Sequence, residues 1–136
     1  MRVFVYGTLK PGEINYQQYC SLYPIHTQPA IAQGRLFQLS LGYPAMIPGD
    51  GRVQGVILSF EDPQLLSTLD DLEDYHPHRL PEENEYQRQQ ILVCTPSEQP
   101  LGNVWAYFMT LEKIQLLGGV EIPEGNWGTQ GNCSKF

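Results

Sequence analysis

The chain has 136 residues, a formal net charge of −7, 41% hydrophobic and 17% charged residues, the profile of one globular domain large enough to bury a core. Binding to a phosphate backbone needs a basic face, and eight scattered Lys and Arg against fifteen Asp and Glu argue against nucleic acid as a partner. No apolar run approaches the roughly 20 residues that span a bilayer and the N-terminus reads as a strand rather than a secretion leader, so the expectation is a soluble, cytoplasmic protein with no membrane partner.

Residues 2–6 are a short apolar strand that breaks at once into Gly7-Thr8-Leu9-Lys10-Pro11-Gly12. A strand ending in Gly-Thr can leave successive backbone N–H groups beyond the sheet, free to hold a carboxylate or a developing oxyanion. An ordinary turn is the alternative, and spacing alone does not decide between them. Residues 15–21 are a candidate short helix. Residues 31–40 alternate partially and read as a strand, and residues 43–47 form a second, proline-marked edge segment. Pro48-Gly49-Asp50-Gly51 is a turn by composition, with residues 53–60 returning as a strand.

A helix is expected from the Asp62-Pro63 start, an N-cap followed by a first-turn proline, to about Tyr75. Residues 85–95 and 103–109 read as an antiparallel pair joined by a polar turn. The tail from Gly118 to Phe136 is rich in Gly, Asn and Pro and reads as irregular. Strands on both sides of a single good helix predict an α+β fold, a small, mostly antiparallel sheet curling towards a barrel.

Three cysteines, Cys20, Cys94 and Cys133, with no C-x-x-C pair, indicate neither a disulfide framework nor zinc. Cys94 closes the apolar run 91–93 and reads as a packed core thiol. His76 and His78 flank Pro77 with no third ligand at a useful spacing, so no metal is expected.

The helix holds the most suggestive side chain. At about 100° per residue, Leu65, Leu69 and Leu72 fall on one stripe with Leu66 on its flank. Asp70, Asp71 and Asp74 then point to solvent, whereas Glu73 shares the apolar face. A carboxylate there needs partners or a raised pKa, because desolvation disfavours its charged form. Such groups cluster at functional sites. A Glu that snorkels to water, or pairs with Arg88, fits the same geometry.

Tyr6-Gly7-Thr8-Leu9 directly after the first strand resembles the signature of the γ-glutamylcyclotransferase-like family, which includes AIG2-like proteins and γ-glutamylamine cyclotransferases. Leu69-Asp70-Asp71-Leu72-Glu73-Asp74-Tyr75 followed by Tyr86-Gln87-Arg88 is similar to the family's L-D-x-x-E-G-Y … Y-x-R block. Tyr43-Pro44-Ala45 and Gly55-Val56-Ile57-Leu58 match further segments, so the resemblance covers about residues 2–109. Two departures stand out. Asp74 occupies the family's usual Gly position, and the stretch from His76 to Asn84 lengthens the gap before Tyr86, beside the expected pocket.

The resemblance implies an enzyme that cyclises a γ-glutamyl group to 5-oxoproline and releases an amine, with Glu73 as the catalytic acid/base and no cofactor. The backbone of Tyr6, Gly7, Thr8 and Leu9 is expected to anchor substrate or oxyanion, and Tyr43 and Tyr107 to form the pocket wall. Arg35 or Arg88 could pair the substrate carboxylate, though Arg88 better suits a structural role between the helix and the next strand. The implied partner is a small γ-glutamyl molecule. A binding or regulatory domain of the same fold without turnover is the alternative. Oligomeric state is not legible.

Overall fold

The computed structural model describes residues 1–128. Six strands carry the fold: β1 (Arg2–Val5), β2 (His26–Gln38), β3 (Pro44–Ser59), β4 (Gln87–Cys94), β5 (Pro100–Phe108) and β6 (Val120–Glu121). Two helices, α1 (Pro63–Leu72) and α2 (Leu111–Leu116), a π-helical turn at Tyr16–Cys20 and a 3₁₀ turn at Pro81–Glu83 complete it. The strand order is β3-β1-β5-β4-β2-β6 with β2 also paired to β3, so five strands close into a barrel and β6 hangs from β2. All pairings are antiparallel except β1 with β5. The expected α+β barrel-like architecture is the one found.

β1 sits between β3 and β5 and is apolar on both sides: Val3 and Phe4 are wholly buried and Val5 nearly so. That is what a strand buried on both faces requires. Val3 and Val5 face a core that includes Leu58, Leu65, Leu69 and Tyr107. Phe4 faces a second core with Ala32, Leu36, Ile57 and Val104. One of these cores lies under α1, so the strand that feeds the glycine loop and the helix that carries Glu73 share packing partners.

The expected turn at 48–51 is instead part of β3. That strand pairs with β2 from Pro44 to Ser59, and the register steps from Gln33↔Arg52 to Arg35↔Ile47. Four residues of β3 are therefore accommodated opposite Gly34, a bulge larger than the usual two residues against one. A Cβ on Gly34 would stand 2.7 Å from the Ile47 carbonyl oxygen, so the bulge closes only over a glycine. The hairpin turn lies instead at residues 39–43, where Leu39 N–H donates to the Tyr43 carbonyl at 3.0 Å.

α1 begins as expected, with the Asp62 side chain accepting from Gln64 N–H at 2.9 Å. It stops at Leu72, before the expected end near Tyr75, because Asp74 takes a left-handed φ of 54°. Glu73 becomes the C-cap.

The tail is less irregular than expected over 118–128. Val120–Glu121 pairs with Phe37 and Gln38 of β2, and Trp127 is 4% exposed, its indole N–H donating to Gln38 Oε1 at 2.6 Å. The remainder of that tail, Cys133 included, lies outside the described residues. Cys94 is half-buried on β4 and not a core thiol. The buried one is Cys20, its thiol pushed up to about 11 by desolvation. Among the described residues no helix is long and apolar enough to cross a membrane.

Candidate active site

The loop after β1, the start of β3, the C-terminal end of α1 and one end of β5 border a small cavity. Tyr6, Gly7, Thr8, Leu9, Tyr43, Pro44, Glu73, Tyr86 and Tyr107 line it, with Phe4 and Val5 of β1. The structure thus brings Glu73, the loop residues Tyr6, Gly7, Thr8 and Leu9, and Tyr43 and Tyr107 into one cavity lining.

Gly7 is fixed by space. A Cβ there would lie 2.6 Å from Pro44 Cγ and 2.9 Å from Pro44 Cδ, so the proline that begins β3 and the loop after β1 pack directly on one another. Beyond Gly7 the loop carbonyls are taken up by N–H groups that follow in the same segment. Gly7 C=O accepts from Lys10 N–H, and Thr8 C=O from the N–H groups of Asn15 and Tyr16, at 3.0 to 3.2 Å. The Thr8 hydroxyl accepts from Asn15 Nδ2 at 2.7 Å. Among the described residues, no carbonyl or side chain accepts from the amides of Gly7, Thr8 or Leu9. Unpaired N–H groups beside a cavity are costly without a ligand or water and form a ready site for negative charge. The Lys10 ammonium donates to the Trp127 carbonyl, which ties the C-terminal segment to this loop.

Glu73 enters from the end of α1. Its backbone N–H still closes the helix onto Leu69 C=O at 3.0 Å. Its side chain turns inward with the apolar stripe formed by the buried Leu65 and Leu69. Among the described residues the carboxylate has no ion pair and accepts no hydrogen bond. Desolvation first, and the nearby negative charge of Glu85 second, push its pKa up to about 8. The pairing with Arg88 that the sequence left open does not occur.

Arg88 pairs with Asp70 instead, NH1 to Oδ2 at 3.2 Å, with both side chains about 15% exposed. Asp70 therefore does not point to solvent as its helical position suggested. Its other oxygen accepts from the Tyr107 hydroxyl at 2.7 Å. Arg88 also lies over Trp105, 4.5 Å from the ring centre, and so holds α1 to β4 and β5. Arg35 is on the far face in an exposed pair with Glu121 at 2.8 Å. Neither arginine lines the cavity, and the substrate-pairing role considered for them is not supported.

The four cavity tyrosines share a property. Tyr6 donates its phenol proton to the Tyr107 carbonyl at 2.6 Å, Tyr86 to the Pro44 carbonyl at 2.6 Å, Tyr43 to Glu85 and Tyr107 to Asp70. Each proton is committed away from Glu73, so the phenols show the cavity only oxygen lone pairs. Burial first, and the charge of Glu73 among later causes, raise the pKa of all four, so they stay neutral. The cavity is polarised accordingly, with N–H donors on the loop side and acceptors around Glu73.

Two lining or bridging residues were not assigned from sequence. Tyr86 was visible in the Y-x-R block, but its inward direction depends on the backbone before β4. Glu85 closes the long loop from His76 and reaches Tyr43 across the cavity mouth. That loop is compact. Arg79 donates to Asp74 Oδ1 and to the Asp74 carbonyl at 2.9 and 2.8 Å, and to Asn84 Oδ1 at 2.9 Å. Asp74 replaces a flexible glycine at a left-handed position that Asp tolerates, and the guanidinium holds its pKa below the usual carboxylate range.

Comparison with known proteins bears on the family and the fold. The family model described as gamma-glutamyl cyclotransferase, AIG2-like, matches residues 3–129. A Vibrio cholerae protein named, provisionally, a gamma-glutamylcyclotransferase is 34% identical over 129 residues, 92% of this chain and 93% of its own length. Two crystal structures share the fold. A mouse AIG2-like protein has a TM-score of 0.69 at 24% identity, covering 96% of this chain and 91% of its own. Bacillus subtilis YkqA has a TM-score of 0.68 at 23% identity over 98% of this chain, which spans 42% of the length of YkqA.

Proposed function

The chain belongs to the gamma-glutamyl cyclotransferase, AIG2-like family, and from that premise we propose that it cyclises the γ-glutamyl group of a γ-glutamyl amine or amide to 5-oxoproline, releasing the amine. Glu73 is the general acid/base, and the loop amides of Gly7, Thr8 and Leu9 hold the negative charge of the substrate and transition state. Tyr6, Tyr43 and Tyr107 shape the pocket.

The reaction supplies its own nucleophile. The α-amine of the substrate attacks its own γ-carbonyl carbon, a C–N bond closes a five-membered ring, and the γ-carbonyl becomes a tetrahedral oxyanion. Collapse breaks the bond to the leaving nitrogen. Tethering makes the attack unimolecular, so the protein's contribution to rate begins with holding the folded-back conformer. N–H donors placed at the oxyanion lower the barrier further.

One carboxylate handles both protons. It must take a proton from the substrate ammonium and return one to the departing amine. Glu73, raised to about 8, is far closer in proton affinity to an amine than an ordinary carboxyl is. A carboxyl at its ordinary value would be a weak base for this work. The observation that carries the reading is Glu73 itself, unpaired and cavity-facing opposite a loop of unpartnered amides. No cofactor is invoked.

The test is a panel of γ-glutamyl amines, γ-glutamyl amino acids and glutathione assayed for release of 5-oxoproline. Turnover of at least one class supports the reading and names the substrate. Saturable binding of these compounds with no 5-oxoproline would favour a binding domain, and neither binding nor turnover would reject the γ-glutamyl assignment.

A further inference from the structure

Among the described residues, the cavity lining holds no Lys, Arg or His, so a substrate carboxylate there must be met by neutral donors. The four tyrosine protons are already given to Asp70, Glu85 and the carbonyls of Tyr107 and Pro44. The lining hydroxyl that donates to no acceptor among the described residues is that of Thr8.

Asn15 decides what that hydroxyl can do. It stands directly before the π-helical turn Tyr16–Cys20, a place where an Asn side chain commonly accepts from N–H groups of the first turn. Asn15 makes no such bond. Its Nδ2 donates instead to Thr8 Oγ1 at 2.7 Å, and its backbone N–H donates to the Thr8 carbonyl at 3.1 Å. A hydroxyl has one proton and two lone pairs. With one lone pair engaged by an N–H, which cannot accept, the proton is left for a partner elsewhere. Thr8 is half-buried and borders the cavity beside the unpartnered amides of Gly7, Thr8 and Leu9.

We propose that the Thr8 hydroxyl donates to the substrate α-carboxylate alongside the loop amides, and that Asn15 is the positioning residue that keeps its proton available by donating to its oxygen. The inference rests on the anion-holding role given to this loop above, and extends it from the backbone to two side chains. The α-carboxylate is charged before, during and after ring closure, so it needs a permanent donor set. A hydroxyl given to a carboxylate makes a short, charge-assisted bond.

Asn15→Asp is the informative change, because it keeps the bond and reverses it. A carboxylate cannot donate, so it accepts the Thr8 proton and withdraws it from the cavity. A contact that merely shapes the loop survives that reversal. The protein is titrated with 5-oxoproline and, separately, with acetate as a bare carboxylate, at constant ionic strength. Binding is read from the ¹H–¹⁵N shifts of Gly7, Thr8 and Leu9. A hydrogen bond to a charged group corresponds to about tenfold or more in Kd. Thr8→Val should weaken binding by that factor, and Thr8→Ser, which restores the hydroxyl, should recover most of it. Asn15→Asp should weaken binding at least as much as Thr8→Val. Added to Thr8→Val, it should cost only the smaller effect of its charge. That charge is common to both backgrounds, so the difference between them isolates the hydroxyl proton.

Unchanged affinity in Thr8→Val overturns the proposal. So does an Asn15→Asp effect that is absent, which would mean that the amide already accepts the proton, or one that is equal with and without the hydroxyl. If neither probe shifts the loop amides, the proposal also falls. If Asn15→Asp does not fold, the Thr8→Val and Thr8→Ser pair decides. Acetate following the expected pattern while 5-oxoproline fails to bind would leave the hydroxyl's role standing and count against the γ-glutamyl reading. Binding of 5-oxoproline that is indifferent to Thr8→Val would do the reverse.

Discussion

Gly7 and Pro44 are in contact so close that a methyl group at position 7 would stand 2.6 Å from the proline ring. The contact joins the loop after β1 to the first residue of β3 and sets one wall of the cavity. Gly7→Ala must push the two apart, and overpacking of this kind costs roughly 1–3 kcal/mol. The loop amides would move with it. Urea unfolding should therefore show a lower midpoint and ligand titration a weaker affinity. A variant as stable and as tight-binding as wild type would mean that the loop amides play no part in recognition.

Glu73 makes the protein's stability depend on pH in a stated direction. Its pKa is raised in the folded state from 4.5 to about 8, so between these values the folded chain binds more protons than the unfolded one. Stability is then lost as pH rises through that window. Glu73→Gln removes the penalty, and the variant should exceed wild type in stability by roughly 1–3 kcal/mol at pH 8, with the difference vanishing below about pH 4.5. Thermal or urea unfolding at pH 4.5, 6 and 8 checks it. A difference that grows towards acid pH would refute the desolvated, unpaired state of Glu73.

Glu85 places a second negative charge near the first and adds to the rise in the Glu73 pKa. In Glu85→Gln the charge is gone while an acceptor for Tyr43 is kept. The acid limb of the pH–rate profile should shift down by somewhat less than about one unit, with little change in stability. An unshifted limb would remove Glu85 from the electrostatics of the site.

Arg88 should matter to the fold more than to the chemistry. Arg88→Ala leaves Asp70 half-buried without its counter-ion and strips the packing on Trp105, a loss of about 3 kcal/mol. Trp127→Ala should cost a similar amount, about 3–5 kcal/mol, because the ring is buried and its N–H is paired. It should also weaken ligand binding, since the Lys10 ammonium that braces the glycine loop is held by the Trp127 carbonyl. Urea midpoints for both variants, with ligand affinity for the second, provide the check.

Much of this was legible in the sequence where local rules suffice. The Asp62-Pro63 start of α1 follows from capping chemistry, and Glu73 could be placed on the apolar face by helical spacing alone. The strand-to-glycine break at Gly7 announced the loop. What was not legible depended on contacts distant in sequence. Asp70 looked exposed because helical projection knows nothing of Tyr107 and Arg88, which arrive from β5 and β4 to claim both its oxygens. The Pro48-Gly49-Asp50-Gly51 stretch has turn composition, but Gly34 on the opposite strand lets it pass as a bulge within one continuous strand. The segment 118–128 has no periodicity of its own, and contacts distant in sequence order it: its pairing with β2, the Gln54 N–H bond to the Gly125 carbonyl, the Lys10 bond to the Trp127 carbonyl and the burial of Trp127. Tyr86 is one residue before β4, where no pattern signals a side chain's direction.

The most direct measurement is release of 5-oxoproline from a turned-over γ-glutamyl compound by wild type and by Glu73→Gln at equal folded concentration. Gln keeps the shape of Glu but cannot exchange a proton, and a single general acid/base contributes about 10²–10⁴-fold. The expected result is a loss in kcat of at least that order with substrate affinity nearly retained. Turnover by Glu73→Gln close to the wild-type rate would contradict the assignment of Glu73 and place the acid/base elsewhere.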